Sequence, residues 1–203
     1  MGAVPAYSEG NMIEKSDFSL VKPGDLFFTT NPGFVSWAIR QRTWGRFSHV
    51  EIIVSEDRPP LNPLLAKEGQ PPLNPLLSTE GRLDVISADS NGVFCRAVRE
   101  EEWKNYAILT YPEMTGEERA NVLRFCFQQI GRRYDFVGLA SFLLYKQLQS
   151  DARWFCSELA YIAYKQAGIR LQRRVKQDFI SPRDLYISPL LKPIAGNAEY
   201  DWM

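Results

Sequence analysis

The sequence predicts an α+β domain, and three observations carry that expectation. Short runs rich in β-branched and aromatic residues, bounded by turn residues, gather in the first half of the chain. Helix-start signals gather in the second half. The 203 residues are 45% hydrophobic, with 12 Phe, 9 Tyr and 5 Trp, which excludes wholesale disorder and fits one domain over residues 1–203.

Taken in order, Gly24-Asp25-Leu26-Phe27-Phe28 follows Pro23 and reads as a turn feeding a buried strand. In residues 34–42, Phe34, Trp37, Ala38 and Arg42 stand near helical spacing, so a short helix is expected. Residues 48–55 (SHVEIIVS) form a strong strand with His49, Glu51 and Ile53 on one face and Val50, Ile52 and Val54 on the other. Residues 59–70 (PPLNPLLAKEGQ) recur as 71–82 (PPLNPLLSTEGR), and six of the 13 prolines lie there. Proline at that density forbids regular structure and two copies are too few for a solenoid, so 59–82 reads as an inserted loop, with proline-rich partner binding as its functional alternative.

Residues 83–88 and 92–98 read as two strands joined by Asp89-Ser90-Asn91-Gly92, and 105–111 as another. Thr115 with Glu118 is a capping box opening a helix to about Ile130. Asp135 caps a second helix to about Leu148, a third runs from Cys156 to Ala167 before Gly168, and Ser181-Pro182-Arg183-Asp184 starts a fourth.

Lys plus Arg equals Asp plus Glu at 24 each, so the neutral chain has no global pull on nucleic acid, and no nucleic-acid partner is expected. No apolar run is long enough for a membrane span, and the first residues lack the basic and apolar pattern of a signal peptide. The opening Met-Gly has Ala6 where myristoylation favours Ser or Thr. Three widely spaced cysteines with no metal-ligand spacing suggest neither a disulfide framework nor zinc, so no metal or other cofactor is expected, in a reducing, cytoplasmic setting.

Those cysteines differ in chemistry. Cys156 stands in the first turn of a helix, where free N–H groups and the helix dipole favour a thiolate and can hold an oxyanion. A small buried apolar residue is the other reading, and residue physics alone leaves both open. Cys95 and Cys126 lie inside a strand and a helix and read as core. His49, the single histidine, is the one side chain able to serve a cysteine nucleophile as a neutral-pH base, or is an ordinary structural histidine. Glu51, on the same strand face ~7 Å along the backbone, can orient the imidazole, with Ser87 and Asp89 as alternatives. Arg40, Arg42, Arg46, Arg132 and Arg133 read as solvated arginines on loops, or as recognition groups for an anion.

Gly24–Phe28, Ser48–Ile52, Gly131-Arg132-Arg133-Tyr134-Asp135-Phe136, Trp154-Phe155-Cys156-Ser157-Glu158-Leu159 and Ser181–Leu185 occur in the order that resembles the permuted NlpC-type papain-like hydrolases of the YiiX/YaeF-like group. Lecithin:retinol acyltransferases are more distant relatives of the same arrangement. The resemblance implies a circularly permuted papain-like fold, a small antiparallel barrel-like sheet packed against helices. It also implies Cys156 as nucleophile and His49 as base, with Tyr134, Trp154 and Ser157 near the substrate. Many members carry the third, orienting residue on the strand after the histidine strand. Here that place reads Ile86-Ser87-Ala88, and Glu51 is taken as the substitute.

The expected function is a thiol hydrolase cleaving an amide or ester of a small peptide or lipid-like substrate through an acyl-enzyme. The rival is a catalytically inactive module of the same fold, its groove lined by Trp37, Trp44, Tyr134 and Trp154, that holds an acyl chain or peptide. A phage or bacterial structural accessory protein is a third reading, drawn from the insertion alone.

Overall fold

Lys22-Pro23-Gly24-Asp25 makes the turn that starts the sheet. Proline suits its second position, and Gly24, at φ +88°, takes the left-handed conformation the third requires. The Asp25 N–H closes it onto the Lys22 carbonyl at 3.1 Å. The computed structural model describes residues 20–30, 34–54, 83–89, 91–134, 153–154, 156–172 and 180–197. The repeat loop 59–82 and the helix expected from Asp135 lie outside the described residues, as do the side chains of Tyr134 and Trp154.

From that turn the chain runs through β1 (Leu26–Thr29), α1 (Phe34–Thr43), β2 (His49–Val54), β3 (Asp84–Asp89) and β4 (Gly92–Ala97). A 3₁₀ turn at Glu100–Lys104 leads into β5 (Tyr106–Thr110), then α2 (Gly116–Gln129) and the two-residue strands β6 (Arg133–Tyr134) and β7 (Arg153–Trp154). The helices α3 (Cys156–Gln166) and α4 (Pro182–Tyr186) follow, and β8 (Lys192–Gly196) closes the order. Six strands form one antiparallel sheet in the order β4-β3-β2-β1-β5-β8, while β6 and β7 pair in parallel. The α+β expectation therefore holds, and within the described residues the six strands form an open order with β4 and β8 at its ends.

Period-2 alternation divides the core in two. Leu26, Phe28, Val50, Ile52, Val54, Ile86 and Leu109 meet α2 and α3 on one side of the sheet. Phe27, Ile53, Val85, Tyr106, Ile108 and Ala195 form a second cluster on the other side, with Trp103 of the 3₁₀ turn against it. Every residue of β2 is buried, including His49 and Glu51, because the strand is covered on both faces.

Helix termini follow local chemistry. Thr115 and Glu118 make the expected reciprocal cap on α2, and Ser181 and Asp184 make the same cap on α4, with Pro182 in its first turn. At the end of α3, Gly168 at φ +88° lets the Ile169 N–H reach the Tyr164 carbonyl and its own N–H reach Lys165, a Schellman arrangement. That helix is buried from Cys156 through Tyr164, so its first turn is carried into the protein interior.

Candidate active site

Cys156 opens α3, where helical N–H groups lack intrahelical partners. Its sulfur accepts N–H bonds from Ser157 and from Val50 of β2. The second contact depends on where a ladder stops. The Ile53 N–H donates to the Asp25 carbonyl on the β1 side, so even-numbered N–H groups of β2 face β3. Pairing of β2 with β3 runs from Val54↔Asp84 to Ile52↔Ile86 and ends there. The Val50 N–H lies just past the last pair, and Cys156 takes the place that a β3 carbonyl would otherwise hold.

His49, at the first position of β2, is 6% exposed. Its Nε2 lies 3.2 Å from Glu51 Oε1 and 3.1 Å from Ser87 Oγ. With both contacts on Nε2, Nδ1 is the ring nitrogen left to hydrogen-bond the Cys156 sulfur, a bond the two side chains share. Burial opposes charge on both members of this pair. For His49 that opposition is outweighed by the Cys156 thiolate and by Glu51, so its pKa is raised well above 6.5. For Cys156 it is outweighed by the imidazolium and the two backbone N–H groups, so the thiol is lowered from its ordinary value. Both shifts run toward a thiolate–imidazolium pair.

Both candidates for the orienting role on regular strands thus meet the same nitrogen. Continuing the β2–β3 register sets Glu51 level with Ser87, on the face that carries His49. Asp89 is placed elsewhere: its Oδ1 accepts the Asn91 N–H at 2.7 Å in the β3–β4 turn. Ser157 is fully buried and its hydroxyl donates to the Ile180 carbonyl at 2.8 Å, so it reaches Cys156 through its backbone. Tyr134 and Trp154 are register partners in the β6–β7 pair. Arg40 and Arg42 stand in the last turn of α1 rather than on a loop, and Trp37 and Trp44 are exposed. Cys126 is fully buried, which pushes its thiol up, and half-buried Cys95 packs against the main core, in keeping with core roles for both.

One group was passed over in the sequence. Arg96 of β4 donates through Nη2 to Glu51 Oε1 at 2.7 Å and grips Glu102 with both terminal nitrogens, at 2.6 and 2.7 Å. The Arg99 N–H also donates to Glu102, at 2.8 Å. Burial disfavours the Glu102 carboxylate, yet the hydrogen bonds from Arg96 and Arg99 hold it down to about 2. A carboxyl depressed in the folded state contributes stability that is fully present above its unfolded value near 4.5 and is lost as pH falls through about 2. Wild-type melting temperature is therefore expected to fall between pH 4.5 and pH 2 more steeply than that of Glu102→Gln, with a difference on the order of 3 kcal/mol at neutral pH. Parallel slopes in a thermal titration would remove Glu102 from the acid response.

No family model matches the chain and no curated protein matches it. Among solved structures, the metalloprotein YiiX from Escherichia coli O157:H7, a DUF1105 protein, is similar at 17% sequence identity and a TM-score of 0.58. The match covers 86% of this chain and 97% of YiiX. Among the described residues here, no group of three or more His, Cys, Asp or Glu side chains is placed to hold a metal ion. The donors nearest that chemistry are His49, Glu51 and Cys156, and the Arg96 guanidinium at 2.7 Å already occupies Glu51 Oε1 with positive charge, so this set does not fit a metal. No described helix is long and apolar enough to cross a membrane. What the chain shares with YiiX is its fold, a mixed α+β architecture in which helices pack on an antiparallel sheet.

Proposed function

We propose that the chain is a thiol hydrolase of the permuted, NlpC-type papain-like class, cleaving an amide or ester of a small peptide or lipid-like substrate through an acyl-enzyme. The observation that carries this reading is buried Cys156 hydrogen-bonded to His49 and to the Val50 and Ser157 N–H groups, contacts that lower the thiol and raise the imidazole. A reducing, cytoplasmic setting, which keeps a nucleophilic thiol reduced, suits this chemistry.

In the ion pair His49 Nδ1 already holds the Cys156 proton, and Sγ attacks the substrate carbonyl to form a tetrahedral oxyanion. The Cys156 backbone N–H at the start of α3 is aimed to stabilise that oxygen. Collapse breaks the bond to the leaving amine or alcohol, which receives the proton from His49 and leaves a thioester on Cys156. Water then gives its proton to His49 as it attacks the thioester, and the released thiolate restores the pair. Glu51 and Ser87 accept from Nε2–H and keep the ring in register throughout.

The test is the rate of iodoacetamide alkylation of each cysteine against pH, followed by peptide mass spectrometry. Cys156 is expected to label rapidly below pH 7 and to lose that rate, at least tenfold, in His49→Ala. Cys126 is expected to stay inert. Labelling of Cys156 that rises only near the ordinary thiol value of ~8.5, indifferent to His49, would instead mark a binding module of the same fold.

A further inference from the structure

Arg96 stands on β4, two strands from the β2 strand that carries Glu51, yet it makes the shortest contact to Glu51. The β3–β4 hairpin brings it there. Asp89 pairs with Gly92, so Val85 pairs with Arg96, and the two-residue alternation sets Arg96 on the face shared by Ser87, Glu51 and His49. The guanidinium is 14% exposed and the Glu51 side chain is fully buried. Both contacts that fix Glu51 fall on Oε1, because Oε2 is buried without a hydrogen-bond partner among the described residues. Arg96 is itself fixed from behind: Glu102 binds it in a fork, Arg99 binds Glu102, and neighbouring Trp103 packs on Phe27 and Tyr106 at ring separations of 5.5 and 4.9 Å.

We propose that Arg96 is the positioning residue of the site, holding Glu51 Oε1 against His49 Nε2 and supplying a positive partner at 2.7 Å to that fully buried carboxylate. This rests on the reading of Cys156 and His49 as an activated pair and adds a residue that acts on it through Glu51. Without Arg96 the Glu51 carboxylate keeps, among the described residues, a single contact, at 3.2 Å to His49, and loses the 2.7 Å contact that fixes Oε1 in place. His49 would then face an unanchored acceptor, and the thiolate–imidazolium pair would lose the oriented anion that supports it. Among the described residues, the charged groups linked to the pair by hydrogen bonds are Glu51 on β2, Arg96 on β4 through Glu51, and Glu102 with Arg99 at the 3₁₀ turn through Arg96, with Ser87 on β3 as the polar neighbour; Glu158 is a further buried carboxyl on α3.

The readout is the pH midpoint of Cys156 alkylation by iodoacetamide, in the full chain with folding checked by circular dichroism. Arg96→Met is expected to move the midpoint up by about one unit, a roughly tenfold loss of rate at acidic pH. Arg96→Lys is expected to move it less in the same direction, because one ammonium cannot span both carboxylates. In a Glu51→Gln background neither change at Arg96 should move the midpoint further, since the group through which Arg96 acts is gone. An unmoved midpoint in Arg96→Met, or a shift that persists beside Glu51→Gln, would overturn the proposal. If Arg96→Met does not fold, the lysine variant decides by the same two comparisons. Failure of the activated pair itself looks different: wild-type Cys156 would then titrate as an ordinary thiol.

Discussion

Cys156→Ala is expected to abolish turnover of p-nitrophenyl acetate, a loss of roughly 10³-fold or more, and to remove the burst of nitrophenolate that one acetylation per chain produces. Wild-type protein quenched early should carry one acetyl group on Cys156. The size of the effect follows from the site: the described residues place one sulfur at a helix N-terminus with two N–H donors and an imidazole upon it, whereas buried Cys126 has its thiol pushed up. His49→Ala should cost nearly as much, and the double variant little more, because the two groups act as one nucleophile. Glu51→Gln should leave a reduced rate, since Ser87 still accepts from Nε2 at 3.1 Å. The pH profile carries its own sign. The lowered thiol moves the acid limb below the ordinary cysteine value and the raised imidazole moves the alkaline limb above 6.5, the two directions that open a plateau between them. Full turnover in Cys156→Ala would remove the covalent mechanism.

Much of this arrangement was legible in the chain, and the reasons are local. Alternation in SHVEIIVS sets His49 and Glu51 on one face before any fold is known, and the structure keeps that face. Capping residues marked the starts of α2 and α4, and Gly168 the end of α3. Arg96 was legible too. The turn at Ser90-Asn91 implies the pairing of Val85 with Arg96, and counting along the strand would have raised a charged residue on the face of Ser87. It was passed over because an arginine in GVFCRAV reads as an edge-strand charge until its partners on β2 and in the 3₁₀ turn are known. Other features depend on contacts remote in sequence. The Val50 N–H reaches Cys156 only because the β2–β3 ladder ends at Ile52, a fact of register. The edge strand β8 includes Pro193, which cannot donate to a ladder, so these residues carry no plain strand signal. The parallel pairing of Arg133-Tyr134 with Arg153-Trp154 joins two-residue segments too short to carry a periodicity.

The largest stability effect is expected at Arg119, on the side of the fold away from the thiol chemistry. Its Nη1 donates to Asp25 Oδ1 and to the Pro23 carbonyl, both at 2.8 Å, and its Nη2 donates to Thr110 Oγ1 at 3.2 Å. Asp25 is fully buried and also accepts from the Thr110 hydroxyl at 2.7 Å and the Lys22 N–H at 2.8 Å. Tyr164 of α3 donates to the Gly24 carbonyl of the same turn at 2.6 Å. One turn therefore ties β1, β5, α2 and α3 together. Arg119→Met removes the only cation the described contacts give Asp25 and leaves a buried carboxylate without a countercharge, a change that typically costs about 3–5 kcal/mol. With a urea dependence of about 2 kcal/mol per molar, the unfolding midpoint should fall by roughly 1.5–2.5 M. Asp25→Asn combined with Arg119→Met should cost less than the two single losses added, because each single change strands the other partner. Added salt should not mimic the loss, since screening barely reaches a buried pair. A midpoint for Arg119→Met within 0.5 M of wild type, at about 1 kcal/mol, would show that the turn is held by its backbone bonds alone. The expected loss instead makes this cluster the anchor that holds α3, and with it Cys156, against the sheet.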